Sequence, residues 1–389
     1  MKKLTILVLS YIFVQFTQAQ IVGLYQDEVF DEVSVNTETY STPYNLQVDI
    51  YQATDNQEEN RPLLILAHGG SFIGGVRQNP TMVTLGNSFA KRGYVVASIS
   101  YRLMGLLDLF SEQAALNGVA EAIGDGRAAV RYFRKTATEG NPYKINPNQI
   151  FFGGNSAGGL IALHVGFMQE EDITDALLLE VLTDNGGIEG NSGNPGYSSE
   201  VSGAISLSGA LADVNFISTE DDDIAIITCH GDLDETVTYN CGVPLGGSYP
   251  LPELCGAGAI YGHTQALSLN NHNHLLFENS GHTPWEFSGS AQEQMINFVS
   301  EHLYNTLDYN VGVEELSGDF RIYPNPVKNI LNVESLKNIY KFIVRNIKGD
   351  EILNINNEKT ADISHLPQGV YILEIEGEVQ KSRQKFIKL

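Results

Sequence analysis

Short runs of consecutive apolar residues alternate with longer amphipathic stretches through the first three quarters of the chain. The runs are Leu63 to Ala67, Tyr94 to Ile99, Ile150 to Phe152, Ala204 to Leu207, Ile224 to Thr228 and Leu275 to Phe277. Apolar residues at successive positions suit strands buried on both faces, as in a parallel sheet covered by helices. Between them, Thr81 to Arg92, Glu112 to Ala137, Ala157 to Met168 and Gln292 to Leu303 have helical character; Ala122, Ala129, Val130 and Phe133 mark the apolar face of the second. Alternating strands and helices predict a doubly wound α/β sheet. Before Pro62 the pattern alternates instead, as in Leu46-Gln47-Val48-Asp49-Ile50, which predicts antiparallel strands at the leading edge.

The last 73 residues read differently. Ile330 to Val333, Lys341 to Val344 and Val370 to Ile375 are short alternating segments, with turns expected at Lys348-Gly349-Asp350 and Pro367-Gln368-Gly369. They predict a small β-sandwich without helices. Charge changes at the same place. Residues 20–316 hold 10 Lys and Arg against 38 Asp and Glu, whereas residues 317–389 hold 11 against 9. The boundaries expected are therefore a main domain over residues 20–310, a linker over 311–316 and the sandwich over 317–389. At the other end, Met1-Lys2-Lys3, the apolar Leu4 to Phe16 and Thr17-Gln18-Ala19 have the order of a secretory signal, residues 1–19.

A net charge of −24 over 389 residues makes a phosphate-backbone partner a poor expectation, so no nucleic acid is expected. No stretch after the signal reaches the ~18 apolar residues of a membrane helix, and no stable membrane span is expected. Between Lys144 and Arg321 there is no Lys or Arg, so an anionic ligand would find no cationic clamp there. The acidic triplet Asp221-Asp222-Asp223 lacks the alternating ligand spacing of a calcium loop, and neither metal nor cofactor is expected.

In doubly wound sheets chemistry sits beyond the carboxyl ends of strands. After Ile150 to Phe152 comes Gly153-Gly154-Asn155-Ser156-Ala157-Gly158-Gly159 and then a helix. This is G-x-S-x-G between strand and helix, the context that pushes a serine hydroxyl out at a sharp turn. Serine at its ordinary pKa needs a base, itself oriented by a carboxylate. His282 follows the last apolar run. His272 and His274 lie at the entry end of that run, and His164 lies inside the helix after Ser156; a structural or surface role is expected for all three. For the acid, Asp234 lies far enough past Ile224 to Thr228 to reach His282; Asp232 is close to the strand end, and Asp213 is the lesser competitor. The glycine-rich His68-Gly69-Gly70-Ser71-Phe72-Ile73-Gly74-Gly75 follows the Leu63 to Ala67 run, so the N–H groups of Gly70, Ser71 and Ala157 are the expected oxyanion donors. His68 is expected to bond within that loop.

These motifs, with Tyr101-Arg102-Leu103, Asp125-Gly126-Arg127-Ala128-Ala129-Val130 and His230-Gly231-Asp232-Leu233-Asp234 in order, make residues 20–310 resemble an α/β-hydrolase of the carboxylesterase and hormone-sensitive-lipase-like group. Ser71 stands where that group has the third glycine of HGGG. The resemblance implies a structural helix for Asp125 and Arg127. Tyr323-Pro324-Asn325-Pro326, Asp362 to Tyr371 and the basic Lys385-Phe386-Ile387-Lys388 make residues 317–389 resemble the C-terminal sorting domain of the Bacteroidetes type IX secretion system, which implies the secretion machinery as a partner.

Two loops are expected to shape specificity. Asp184 to Ser199 is rich in Gly, Asn and Ser and reads equally as a pocket wall or a surface excursion. Asp234 to His263 contains Cys241 and Cys255, whose separation of fourteen residues closes a loop worth about 3 kcal/mol in an oxidising compartment, so a disulfide is expected there and a free thiol at Cys229. Phe72 and the single tryptophan, Trp285, are the expected pocket residues. The function expected is a secreted serine carboxylic-ester hydrolase acting through Ser156, His282 and Asp234, on acetyl, feruloyl, longer-chain or polyester substrates. A prolyl-oligopeptidase-type peptidase and a non-catalytic hydrolase-fold binding module are the alternatives.

Overall fold

The computed structural model describes residues 21, 23–307, 320–335, 339–346, 351–356, 359–377 and 381–389. The expected signal at residues 1–19, the linker at 311–316 and the turn at Lys348-Gly349-Asp350 lie outside them. The chain forms two compact units, Met1–Leu307 and Asp308–Leu389.

The first unit is built on eight strands: β1 (Val33–Ser41), β2 (Leu46–Ala53), β3 (Arg61–Ala67), β4 (Val95–Ile99), β5 (Ile145–Asn155), β6 (Gly203–Leu207), β7 (Ala225–Gly231) and β8 (His272–Phe277). Their order across the sheet is β1-β2-β4-β3-β5-β6-β7-β8. β1 and β2 are antiparallel to each other, and β2 is antiparallel to β4; every later pairing is parallel. The sheet is thus mostly parallel with an antiparallel leading edge, the architecture of an α/β-hydrolase. Its central strands are buried along their whole length, β3, β4, β6 and β7 without one exposed residue, because helices cover both faces.

Those helices are α1 (Pro80–Lys91), α2 (Glu112–Thr138), α3 (Ala157–Phe167), α4 (Ala176–Asp184), α5 (Ala257–Ala266) and α6 (Gly289–Asn305). Asn79 caps α1 by accepting from the Thr81 N–H, with Pro80 pre-set for the first turn; Ser111 and Ser288 cap α2 and α6 in the same way. α3 is apolar all round and every residue in it is buried, as befits a helix wedged between sheet and other helices.

The structure departs from the sequence pattern in four elements. β5 runs on past its apolar residues to Asn155, because Gly153 and Gly154 pair with Leu66 and Ala67 on one side and Ile205 and Ser206 on the other. β7 likewise reaches Gly231. α4 and α5 have no counterpart among the expected helices: α4 is a brief apolar turn pair, and α5 carries two glycines in ten residues, which weakens its helical signal. The loop expected to reach His263 therefore ends at α5.

In the second unit the described residues form two antiparallel sheets, of three and four strands, and no helix. Leu331, Val333 and Ala361 of the smaller sheet share one apolar cluster with Phe342, Val344, Leu373 and Phe386 of the larger.

Candidate active site

Ser156 stands between β5 and α3 with φ 55° and ψ −117°, a strained conformation for a residue with a side chain. The neighbouring glycines make it possible. A Cβ on Gly154 would lie 2.2 Å from the Gly158 backbone, and one on Gly158 would lie 2.0 Å from the Ala67 carbonyl oxygen. The Ser156 N–H donates to Leu207 O at 2.7 Å, which pins the turn to β6.

His282 follows β8, and its Nε2 lies 2.8 Å from Ser156 Oγ. Its Nδ1 lies 2.6 Å from Asp234 Oδ2, in the loop after β7. The other carboxylate oxygen, Asp234 Oδ1, accepts from the N–H groups of Thr236 and Val237. Burial by itself would raise the Asp234 carboxyl. The bonds from His230 and His282, the His282 charge and the Val237 N–H outweigh it and hold the group well below the usual carboxylate range. With Asp234 ionised, the proton of neutral His282 sits on Nδ1 and Nε2 is left to accept from the Ser156 hydroxyl.

His230 is a contact that reasoning from the sequence missed. Its Nδ1 accepts from the Ala257 N–H, which leaves the proton on Nε2, shared between Val237 O at 2.9 Å and Asp234 Oδ2 at 3.2 Å. The i, i+4 spacing in His230-Gly231-Asp232-Leu233-Asp234 was the available signal. Asp232 instead accepts from the Ser280 N–H, and Asp213 caps a short turn by accepting from Asn215. Neither meets His282.

The loop after β3 lies against the nucleophile turn: a Cβ on Gly69 would come 3.2 Å from Ser156 Cβ. Gly70, Ser71 and Phe72 all have positive φ, and the Ile73 and Gly74 N–H groups fold back onto Gly70 O. Ser71, Phe72, Ser156 and Ala157 line one cavity. Ala157 opens α3, so its N–H has no acceptor within the helix. His68 bonds Gly69 O and stacks on Tyr101 with ring centroids 4.3 Å apart; burial lowers its pKa.

Trp285 is not in the pocket wall. It is only 1% exposed, packs edge-on against Phe277 and donates from Nε1 to Asn155 Oδ1 at 3.0 Å. Asn155 Nδ2 in turn donates to Glu286 Oε1, and Thr283 Oγ1 to Glu286 Oε2. The segment after His282 is thereby tied to the residue before Ser156. An indole with a polar N–H is drawn under the site because Asn155 offers it a buried acceptor.

Three further histidines, His164, His272 and His274, form structural bonds. Tyr239 O–H donates to His274 Nε2, His274 Nδ1–H to Thr228 Oγ1, Thr228 O–H to His272 Nε2, and His272 Nδ1–H to Thr264, whose hydroxyl ends the chain on Tyr261 O. Burial, with the neighbouring imidazole charges, lowers His272 to about 3 and His274 to about 4. His164 bonds Leu160 O and accepts from the Ala212 N–H, and burial lowers it to about 4. Cys241 and Cys255 form a disulfide, and Cys229 is a buried free thiol.

The cavity at Ser156 is walled by the loop after β7, through residues such as Val237, Leu245 and Leu251, but not by Asp184 to Ser199. That second loop is held elsewhere: Glu189 pairs with Arg127 and Arg131, and Ser192 bonds Asp125. Asp125 is fully buried and pairs with Arg102 at 2.8 Å, so this helix is structural. Among the described residues no helix is long and apolar enough to cross a membrane.

The architecture and the serine turn define an α/β-hydrolase. Residues 48–194 match the BD-FAE family model, a span that includes Ser156 and ends before Asp234, and residues 321–389 match the secretion system C-terminal sorting domain. The chain carries a carboxylic-ester hydrolase domain of the α/β-hydrolase fold, followed by a sorting domain that marks it for secretion or the cell surface. Among solved structures it is similar to the apo form of Thermogutta terrifontis esterase 2, with 19% identity over 70% of this chain and 94% of that one and a TM-score of 0.50. The butyrate-bound form of the same thermophilic esterase matches with 18% identity, over 71% of this chain and 96% of that one, also at 0.50. At that identity the likeness is one of fold. A comparison with curated proteins finds no match.

Proposed function

We propose that the protein is a secreted serine esterase in which Ser156 is the nucleophile, His282 the base and Asp234 the residue that orients His282. The observation that carries this reading is the unbroken line of short contacts from Asp234 Oδ2 through His282 to Ser156 Oγ. Ser156 Oγ attacks the ester carbonyl carbon while its proton passes to His282 Nε2. The carbonyl oxygen takes the negative charge and is met by the N–H groups of Ala157 and of Gly70 or Ser71. As the tetrahedral intermediate collapses, the bond to the alcohol oxygen breaks and His282 returns the proton to that oxygen. Water, deprotonated by His282, then attacks the acyl-enzyme and releases the acid and Ser156. Asp234 stays ionised throughout and stabilises the imidazolium that forms at each step.

In this reading residues 1–19 direct export and are removed, and residues 317–389 engage the type IX secretion machinery. Ser156→Ala and His282→Ala should each lower kcat by roughly 10³-fold or more with the circular dichroism spectrum unchanged, and Asp234→Asn somewhat less. Full activity in Ser156→Ala would end the proposal. Cell fractionation of a host expressing residues 1–316 tests the second part: the esterase should stay behind the outer membrane, and its appearance in the medium would contradict the sorting role.

A further inference from the structure

The cavity that opens at Ser156 takes in about 970 Å³ of empty space, open solvent at its mouth included, and its exposed lining is almost all carbon. It follows one face of α3. Ala157, Leu160, His164 and Met168, spaced by three or four residues, all line it, so it extends about 16 Å along the helix axis at 1.5 Å per residue. Ile123 of α2 and Leu182 of α4 are among the apolar residues of the facing wall.

Polarity is confined to one end. The hydroxyl-bearing residues of the lining are Ser71, Ser156 and Thr236, and all belong to the nucleophile, the neighbouring loop or the turn that holds Asp234. His164, farther along, has both ring nitrogens occupied by Leu160 O and the Ala212 N–H, so it presents only carbon to the cavity. Apolar surface also continues outward: Leu109 lines the cavity, while Leu107 and Phe110 beside it are 80% and 63% exposed.

From this arrangement we infer that the acyl group accepted is a straight aliphatic chain of medium to long length, laid along α3 with its carbonyl at Ser156. The inference rests on the proposed role of Ser156. An acetyl group would leave nearly all of the apolar wall uncovered. A feruloyl ring would carry its phenol and methoxy oxygens into a region without donors or acceptors, where an unpaired polar group is costly. A methylene chain asks for nothing but apolar contact, and each buried methylene is worth about fourfold in binding.

The test is a chain-length series of p-nitrophenyl esters, acetate, butanoate, octanoate and dodecanoate, each below its micelle concentration, beside methyl ferulate, with the full-length chain. The value of kcat/KM should rise at least tenfold from acetate to octanoate, and methyl ferulate should fall below methyl butanoate run beside it, the two sharing one leaving group. In parallel, calorimetry on Ser156→Ala should give affinity for free fatty acids that increases from octanoate to dodecanoate. Leu178→Trp, which puts an indole into the cavity from α4, should move the best substrate to a shorter acid. A flat or falling profile overturns the inference and leaves the Ser156 reading in place. Fatty-acid binding by Ser156→Ala, with no ester hydrolysed by the parent protein, would support the cavity's ligand class and defeat the Ser156 reading instead.

Discussion

Two segments, Asp184 to Ser199 and Asp234 to Gly256, are both loops with several Gly and with Pro, yet they are held by different physics. The first is fastened by charge. Glu189 reaches the guanidinium groups of Arg127 and Arg131, and Arg134 NH1 donates to Ser198 O at 2.7 Å, so the segment lies along α2. The second segment contains no cation. It is held by a disulfide, by the Asp234 turn and by the Tyr239 bond to His274, and it turns Pro and Leu side chains to the cavity. The difference follows from what each segment faces: a helix with three arginines in one case, and an apolar cavity beside buried histidines in the other.

Acid should separate the two most strongly. His272 and His274 are neutral in the fold, with pKa values lowered to about 3 and about 4 from the ordinary 6.5. The unfolded chain therefore binds more protons between those values, and stability falls as the pH drops from 6.5 towards 4, by several kcal/mol at ~1.4 kcal/mol per unit. Glu189 shifts in the same direction but over a lower window: although burial opposes it, its bond from Ser199 and the two arginines lower its pKa, so its contribution is intact above the ordinary carboxylate value and is lost only as the pH falls below it. Hydrogen exchange across this range should show the Tyr239 side opening while residues 184–199 stay protected. Opening of the latter first would contradict the account.

Removing the disulfide is the next largest effect. Replacing both Cys241 and Cys255 by Ser should cost about 3 kcal/mol from the fourteen-residue loop and should lower esterase activity, because that loop walls the cavity. An unchanged melting temperature, or lost stability with no change in kinetics, would separate the disulfide from the site. The smallest effect expected is that of Glu189→Gln, about 1 kcal/mol, since Glu189 is half exposed and its pairs are partly screened. Activity per folded molecule should not change, and a fall in kcat would mean that the charged segment reaches the site after all.

What was legible in the sequence divides along the same line. G-x-S-x-G and the glycine loop after β3 are local signals, since the strain at Ser156 and the approach of Gly158 to Ala67 demand small residues at fixed offsets. Asp234 was separable from Asp213 because the two follow different strands. Trp285 was misplaced because its partner, Asn155, lies 130 residues earlier, and only the fold brings the end of β5 under the segment after His282. The second histidine on Asp234 was hidden for a related reason: the apolar run ends at Thr228, whereas β7 continues to Gly231 and carries His230 with it, and only the fold brings its Nε2 proton between Val237 O and the carboxylate. The cavity walls were least visible, because α4 and the turn at Leu106–Phe110 show only short apolar runs that suit many structures.

The claim on which the account turns is that Ser156 becomes covalently bonded to the acyl carbon. Diethyl p-nitrophenyl phosphate reacts with activated serines, and its adduct is stable enough for peptide mass spectrometry. One phosphoryl group per chain is expected on the peptide containing Ser156, with loss of ester hydrolysis in proportion to labelling and labelling slowed at least a thousandfold in His282→Ala. Inactivation with Ser156 unmodified, or equal labelling in His282→Ala, would contradict the claim.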